Sequence, residues 1–324
     1  MSENINEAAG NQDANADTID LSVNIAGLRL KNPVIAASGT FGYGSEYSNL
    51  IDVSLLGGIC TKGLTMTPRT GNTGVRVWET PSGLLNSIGL ENPGIHAFLE
   101  NELPRLRRLG PAVIANLSGA EADEYINGAE LLNASPVDMI ELNISCPNLK
   151  AGGMAFGLDP GTAAALVAAV RRVCTHKPLM VKLSPNAPSI ASVALACVKA
   201  GADALSLANT FKAMAVDTLA RKPVFDNVFA GLSGPAIRPI VLRMVWELFD
   251  SLKDSGAQVP IVGIGGITCT KDALEYLMAG AAAVQVGSAT FIRPHTMIEI
   301  IDGINQYMKD TGLPRVDKIS IREK

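Results

Sequence analysis

The stretch Leu179-Met-Val-Lys-Leu-Ser-Pro-Asn-Ala-Pro-Ser-Ile190, running on through Ala191-Ser-Val-Ala-Leu-Ala-Cys-Val-Lys-Ala-Gly-Ala-Asp-Ala-Leu-Ser-Leu-Ala208, reads as one strand–helix–strand unit. Leu179–Leu183 and Ala204–Ala208 are short apolar runs, and Ile190–Ala200 between them is amphipathic at helical spacing. The two runs are apolar throughout instead of alternating. That is the pattern of parallel strands buried on both faces, joined by a crossover helix.

The same unit recurs outward in both directions. Six further runs read as strands: Pro33–Ser38, Gly57–Gly63, Ala112–Leu117, Met139–Ser145, Pro260–Gly265 and Ala283–Gly287. Helical patterns occupy Ile95–Leu109, Ala122–Leu132, Thr162–Cys174, Ala236–Leu252, Lys271–Ala279 and Thr296–Met308. The first connection lacks a long helical pattern, although Glu46–Leu50 could start one. Eight strand–helix units predict an α/β fold of the (β/α)₈ TIM-barrel type. A doubly wound open sheet is the alternative, weakened by the lack of G-x-G-x-x-G after the first strand. Asp20–Lys31 alternates around Ala26-Gly27 and reads as a short N-terminal hairpin closing the barrel bottom. Residues 1–19, rich in Asn, Ala, Asp and Glu, read as a disordered or loosely ordered tail, and 20–324 as a single barrel domain. Two connections are long, Leu64–Gly94 and Thr210–Ser233. Both leave strand carboxyl ends, where barrel active sites form.

Composition narrows the function classes. The chain has 324 residues, 47% hydrophobic and 18% charged, with ample apolar material for a large core. A net charge of -4 without a basic stripe argues against nucleic-acid binding. No apolar run approaches the length of a membrane span. The beginning lacks the basic and apolar regions of a signal peptide. Cys60, Cys146, Cys174, Cys197 and Cys269 form no C-x-x-C pair, which fits a reducing, cytoplasmic setting and argues against a disulfide framework or zinc site. The histidines, His96, His176 and His295, fall in or beside predicted helices, so a His-based triad or metal site has little to draw on.

Polar residues collect at the strand carboxyl ends: Ser38-Gly39, Lys62-Gly63, Asn116, Asn143, Lys182, Asn209-Thr210, Gly265-Gly266 and Gly287-Ser288. Interior strand positions otherwise read as apolar. Agreement among eight strand ends is informative, because polar groups buried without partners are costly. Gly263-Ile-Gly-Gly266 and Gly287-Ser288 end strands seven and eight, where barrels often bind phosphate on backbone N–H groups; tight turns alone are the plainer reading. Lys62 and Lys182 end apolar strands, where a fixed cation can stabilise an anionic substrate or reduced cofactor, or form a Schiff base. Asn86-Ser-Ile-Gly-Leu-Glu-Asn-Pro93 offers an amide and a turn able to hold a planar ring, or is an ordinary loop.

In Glu141-Leu-Asn-Ile-Ser-Cys-Pro-Asn148 an apolar strand ends in a cysteine followed at once by proline. Proline has no N–H and a fixed φ, so Cys146 is lifted onto a turn beside Asn143 and Asn148. A cysteine offered there is a candidate base or nucleophile. A buried thiol of no chemical importance is the alternative. Cys60, Cys174, Cys197 and Cys269 read as structural.

Together these pieces resemble the dihydroorotate dehydrogenase family. The resemblance runs from about Leu21 to Ile301 and rests on Lys31-Asn-Pro-Val-Ile-Ala-Ala-Ser-Gly39, Asn86–Pro93, Glu141–Asn148, Val181-Lys-Leu-Ser-Pro-Asn186, Gly231-Leu-Ser-Gly-Pro-Ala-Ile-Arg-Pro239 and Gly263-Ile-Gly-Gly-Ile267. It implies FMN held by Ser38, Lys62, Gly63, Asn116, Asn143, Lys182, Ala208, Gly234, Gly265, Gly266, Gly287 and Ser288. It implies orotate or dihydroorotate held by Lys62, Asn86, Ser87, Ile88, Gly89, Leu90, Asn143, Asn209 and Thr210. Cys146 then takes a proton from C5 while hydride leaves C6, which places the chain in the soluble class. The Ala37–Tyr47 segment and Glu141-Leu resemble the NAD-linked branch, class 1B. That branch implies a homodimer core paired with an electron-transfer subunit carrying FAD and a [2Fe–2S] cluster, a heterotetramer. The chain has no cysteine cluster for such a centre. The alternatives are a fumarate-linked homodimer, a Schiff-base aldolase on the same barrel, and a non-catalytic scaffold, whose strand-end polar set would be disrupted.

Overall fold

The computed structural model describes residues 19–144 and 156–322. Among these, eight parallel strands close a barrel. They are β1 (Val34–Ala36), β2 (Gly58–Cys60), β3 (Ala112–Leu117), β4 (Met139–Asn143), β5 (Leu179–Lys182), β6 (Ala204–Leu207), β7 (Ile261–Ile264) and β8 (Ala283–Val286). They pair in chain order, and β8 closes on β1. The chain is a (β/α)₈ barrel. Where a strand is shorter than its apolar run, the trimmed ends fall mostly at the carboxyl side, because Ser38, Lys62 and Ala208 have left the ladder for loops. The hairpin Val23–Ile25/Leu28–Leu30 turns at Ala26-Gly27 and buries Ile25 and Leu30 in the main core before leading into β1.

The covering helices each bury one stripe. In Ile190–Lys199 the stripe is Val193, Ala194 and Cys197, and the Ser189 side chain accepts from Ser192 N–H at 3.2 Å at the start. Each large apolar side chain so buried contributes roughly 1.5–3 kcal/mol. The helix after β4 runs Pro160–Val173 and so begins before Thr162. The Asp159 carboxylate accepts from Thr162 N–H at 2.8 Å, and Pro160 is preorganised for the first turn. The segment expected as one helix, Ile95–Leu109, contains a π-turn over Phe98–Glu102. Pro104 lacks the N–H a regular helix would donate to Glu100, and Leu103 N–H bonds Phe98 C=O instead. Glu46–Leu50 forms turns, not a helix. The Glu46 carboxylate is engaged with Tyr43 N–H at 3.0 Å, and a short 3₁₀ turn, Val53–Leu55, leads into β2.

The two long connections join each other. Leu64–Gly94 carries the hairpin Val77–Thr80/Gly83–Asn86; Thr210–Ser233 carries Phe211–Ala213 and Ala230–Ser233. All four pair antiparallel into one sheet, with Gly231 opposite Asn86. Both loops leave strand carboxyl ends, so this sheet forms a roof over that mouth of the barrel.

The barrel interior is not apolar throughout, contrary to expectation. Glu141, Ser206 and Gln285 sit mid-strand in β4, β6 and β8 and are fully buried. They are tolerated because they hydrogen-bond to one another across the lumen.

Candidate active site

A cleft of about 1420 Å³, counting its open mouth, lies between the strand carboxyl ends and the roof. Its floor is made by Ser38, Lys62, Gly63, Asn116, Asn143 and Lys182, from β1 to β5 and the loops just beyond them. Ala208, Gly234, Gly265, Gly266, Gly287 and Ser288 line the side toward β6, β7 and β8. The roof and the loop after β6 bring in Asn86, Ile88, Gly89, Leu90, Asn209 and Thr210. Residues expected to hold a cofactor and residues expected to hold a substrate thus share one cavity. Ser87 is not on the cleft wall. It is buried behind the roof, where its hydroxyl accepts from Asn72 at 3.0 Å and from Asn227 at 3.3 Å. Cys146 lies outside the described residues. The described residues on either side are joined, with Gly157 N–H donating to Ile144 C=O at 2.9 Å.

Three features give the cleft its chemistry. The first is a chain of amides across the carboxyl ends of β3, β4 and β6. Asn209 Nδ2 donates to Asn143 Oδ1 at 3.2 Å, Asn143 Nδ2 to Asn116 Oδ1 at 3.3 Å, and Asn116 Nδ2 to Glu141 Oε2 at 2.5 Å. Tyr125 OH also donates to Asn143 C=O at 2.9 Å. Each amide is thereby fixed in orientation, as groups that must align a planar ligand require.

The second is the buried cation. Lys182 Nζ donates to Ser38 Oγ at 3.1 Å and lies 3.9 Å from Glu141 Oε2. An amine held in an ion pair and a hydrogen bond is poorly placed to add to a carbonyl, which counts against the Schiff-base alternative. Glu141 also accepts from Cys60 at 3.1 Å, Ser206 at 2.8 Å and Gln285 at 2.8 Å. Burial pushes its carboxyl upward, but the Lys182 ammonium and these donors outweigh it and hold the group below the usual carboxylate range. Burial and then the Glu141 charge push the Cys60 thiol well up, so it remains a donor.

The third is the close approach of backbone on the β7–β8 side. A Cβ on Gly266, which has φ +66°, would lie 2.7 Å from Gly234 C=O. Away from that side, after β2, a Cβ on Gly63 would crowd side chains, 3.0 Å from Leu90 and 3.2 Å from Asn116 Oδ1. At the mouth, Arg76 bonds Glu91 at 2.5 Å; that bond and the nearby Lys62 charge lower the Glu91 carboxyl.

The family model described as dihydroorotate dehydrogenase matches residues 20–308. The chain belongs to the dihydroorotate dehydrogenase family. Among its relatives is the dihydroorotate dehydrogenase B (NAD(+)), catalytic subunit, of Petrotoga mobilis, 55% identical over 93% of this chain and 98% of that protein. The proteins of the same name from Pelobacter propionicus and Thermoanaerobacter pseudethanolicus are each 50% identical over 93% of this chain, covering 97% and 98% of their own lengths.

Sequence reasoning missed Glu141 as a site residue, along with Ser206 and Gln285. The signal was available: each is a polar side chain in the interior of an apolar strand run. Also unforeseen on the cleft wall are Leu84 and Ser233 from the roof strands, Thr40 from the loop after β1, and Phe291 from the short helix Ala289–Ile292 after β8.

Proposed function

We propose that this chain is the catalytic subunit of an FMN-dependent dihydroorotate dehydrogenase. It oxidises dihydroorotate to orotate in pyrimidine biosynthesis, and the electrons reach NAD⁺ through a separate partner subunit. The observation that carries the reading is the convergence, in one cleft, of the oriented amides, the buried Lys182 ammonium and the glycine backbone beside β7 and β8.

The residues present fit FMN. The segments Gly265-Gly266 and Gly287-Ser288, with Gly234, bring glycine backbone, bare of side chains, to the cleft wall, where a phosphate can approach N–H groups; Gly265, Gly266 and Gly234 also pack too closely on protein atoms to carry a Cβ without strain. Ser38, Gly63, Asn116 and Lys182 make the floor for the ring. Bound there, FMN supplies a two-electron acceptor for hydride. Lys182 presents a fixed positive charge that needs no reorganisation during reaction. Asn86, Asn143, Asn209 and Thr210 orient the substrate's carbonyls, and Lys62 neutralises its carboxylate. Leu90 and the roof backbone Ile88-Gly89 exclude water from one side. Cys146 is the base that removes the C5 proton; supporting this is its place in the sequence three residues beyond Asn143, which ends a strand and lines the cleft. An ordinary thiol has a pKa of about 8.5, so turnover rises with pH as thiolate forms.

The full assembly is a heterotetramer: a homodimer of this chain with two subunits carrying FAD and a [2Fe–2S] cluster. The relatives' names, as catalytic subunits, support a separate partner. The scattered cysteines of this chain support placing the cluster elsewhere and fit a cytoplasmic, reducing setting. The test is anaerobic addition of dihydroorotate to the purified chain, followed by assay with and without its partner. We expect one FMN per chain, bleaching of the flavin spectrum, and NAD⁺ reduction only in the complex. A colourless protein would reject the flavin reading, and a lone homodimer active with fumarate would reject the NAD link.

A further inference from the structure

We infer that Glu141 is a positioning residue that acts through Lys182: its buried negative charge opposes the lysine's positive one and keeps the reduction potential of the bound flavin low enough for electrons to leave. The inference rests on the flavin reading above and adds a role for a residue outside the cleft.

The geometry is that of a counter-charge one layer beneath a ligand. Asn116 and Lys182 line the cleft, whereas Glu141, fully buried, touches both from below. Its four other partners, Cys60, Asn116, Ser206 and Gln285, come from β2, β3, β6 and β8 and are all neutral donors. Neutral donors keep a carboxylate ionised without cancelling its charge. The Lys182 ammonium is the charged partner, 3.9 Å away and also fixed by Ser38.

A lone ammonium in the cleft wall would favour the electron-rich reduced flavin strongly. With a carboxylate behind it, the pair presents a dipole instead of a net charge, and the field at the cleft is weaker. Charges buried in protein are screened far less than in water, so the carboxylate is felt through one layer of side chains. NAD⁺ is a weak oxidant, and a flavin held too firmly in its reduced form would not deliver electrons toward it.

The pocket around Glu141 can accept an uncharged replacement. Gln285 Oε1 is buried and has no hydrogen-bond partner among the described residues. Rotation of that amide would let it receive the N–H₂ group introduced by Glu141→Gln.

The experiment is an anaerobic redox titration of the full-length, FMN-loaded chain as wild type, Glu141→Gln, Glu141→Asp and Ser206→Ala. In Glu141→Gln the preference for reduced over oxidised flavin rises at least tenfold, which is about 30 mV upward for a two-electron couple. NAD⁺ reduction by the complex falls, while reduction of a high-potential dye does not. Glu141→Asp, which keeps the charge, stays within threefold of wild type. Ser206→Ala removes a neutral donor but leaves the charge, so its potential is unmoved or shifts downward. An unmoved potential in flavin-loaded Glu141→Gln overturns the inference, and so does an upward shift in Ser206→Ala, which would mean that packing alone matters. Should Glu141→Gln load no flavin, Ser206→Ala and Glu141→Asp decide by the same criteria. Wild-type protein without flavin would instead refute the proposed function itself.

Discussion

Removing the Lys182 charge tests whether the ion pair under the cleft is an energetic unit. Lys182→Met keeps most of the stem and deletes the ammonium. At an effective dielectric near 20, unit charges 3.9 Å apart attract by about 4 kcal/mol. Orphaning one member of a buried pair typically costs about 3–5 kcal/mol. Here Glu141 keeps four other donors, so the lower end applies, and we expect a loss of about 3 kcal/mol. Glu141→Gln alone strands the ammonium, which retains the Ser38 hydrogen bond, and costs about 3–5 kcal/mol on the same grounds. The double variant has no buried charge to strand, so its loss is smaller than the sum by up to about 3 kcal/mol. The assay is equilibrium urea unfolding of the four flavin-free proteins at neutral pH, followed by far-ultraviolet circular dichroism and tryptophan fluorescence, with coincident transitions required. Losses that add within about 0.5 kcal/mol would refute the reasoning, because independent sites behave that way.

Three further outcomes follow from the site. Cys146→Ala is expected to retain FMN and bind orotate but to turn over about 10²–10⁴-fold more slowly, with the rise of rate with pH abolished in steady-state assays. Gly266→Ala puts a Cβ 2.7 Å from Gly234 C=O on a backbone with φ +66°, and should weaken FMN binding at least about tenfold, read from flavin fluorescence released on dilution. Glu141, with its carboxyl lower in the folded than in the unfolded chain, contributes stability in full above the ordinary carboxylate range and loses it as pH falls through the folded value. Below about pH 4.5, Glu141→Gln should therefore lose stability less steeply than wild type, by up to about 1.4 kcal/mol per pH unit in urea titrations.

The barrel was legible because its determinants are local. Each strand is a short apolar run, each helix an amphipathic one, and chain order suffices to close the ring. The strand-end residues of the cleft were legible for a related reason, since strand ends in such a barrel necessarily meet; Gly234 and Ile88 to Leu90 were expected there through the family resemblance. The roof was not legible: its strands are short, partly exposed, and drawn from loops far apart in the chain. Ser87 shows the same limit, because which way a loop residue faces depends on Asn72 and Asn227, and its neighbours in sequence carry no sign of them. Glu141 was visible as a letter but not as a site. Its partners lie on five other strands, and only ring closure brings them within bonding distance.

The roof also sets an order of assembly. Asn86 and Gly231 are 145 positions apart, so their pairing encloses nearly half the chain in one loop. Such a contact gains little until the barrel has brought its ends together, since the entropy of closing so long a loop must be met first. The barrel can therefore form before the roof, and the roof can open without unfolding the barrel. Amide exchange in 83–86 and 230–233 should be faster than in β3 and β4, and the ligand-covering surface becomes the last part of the molecule to form and the first to yield.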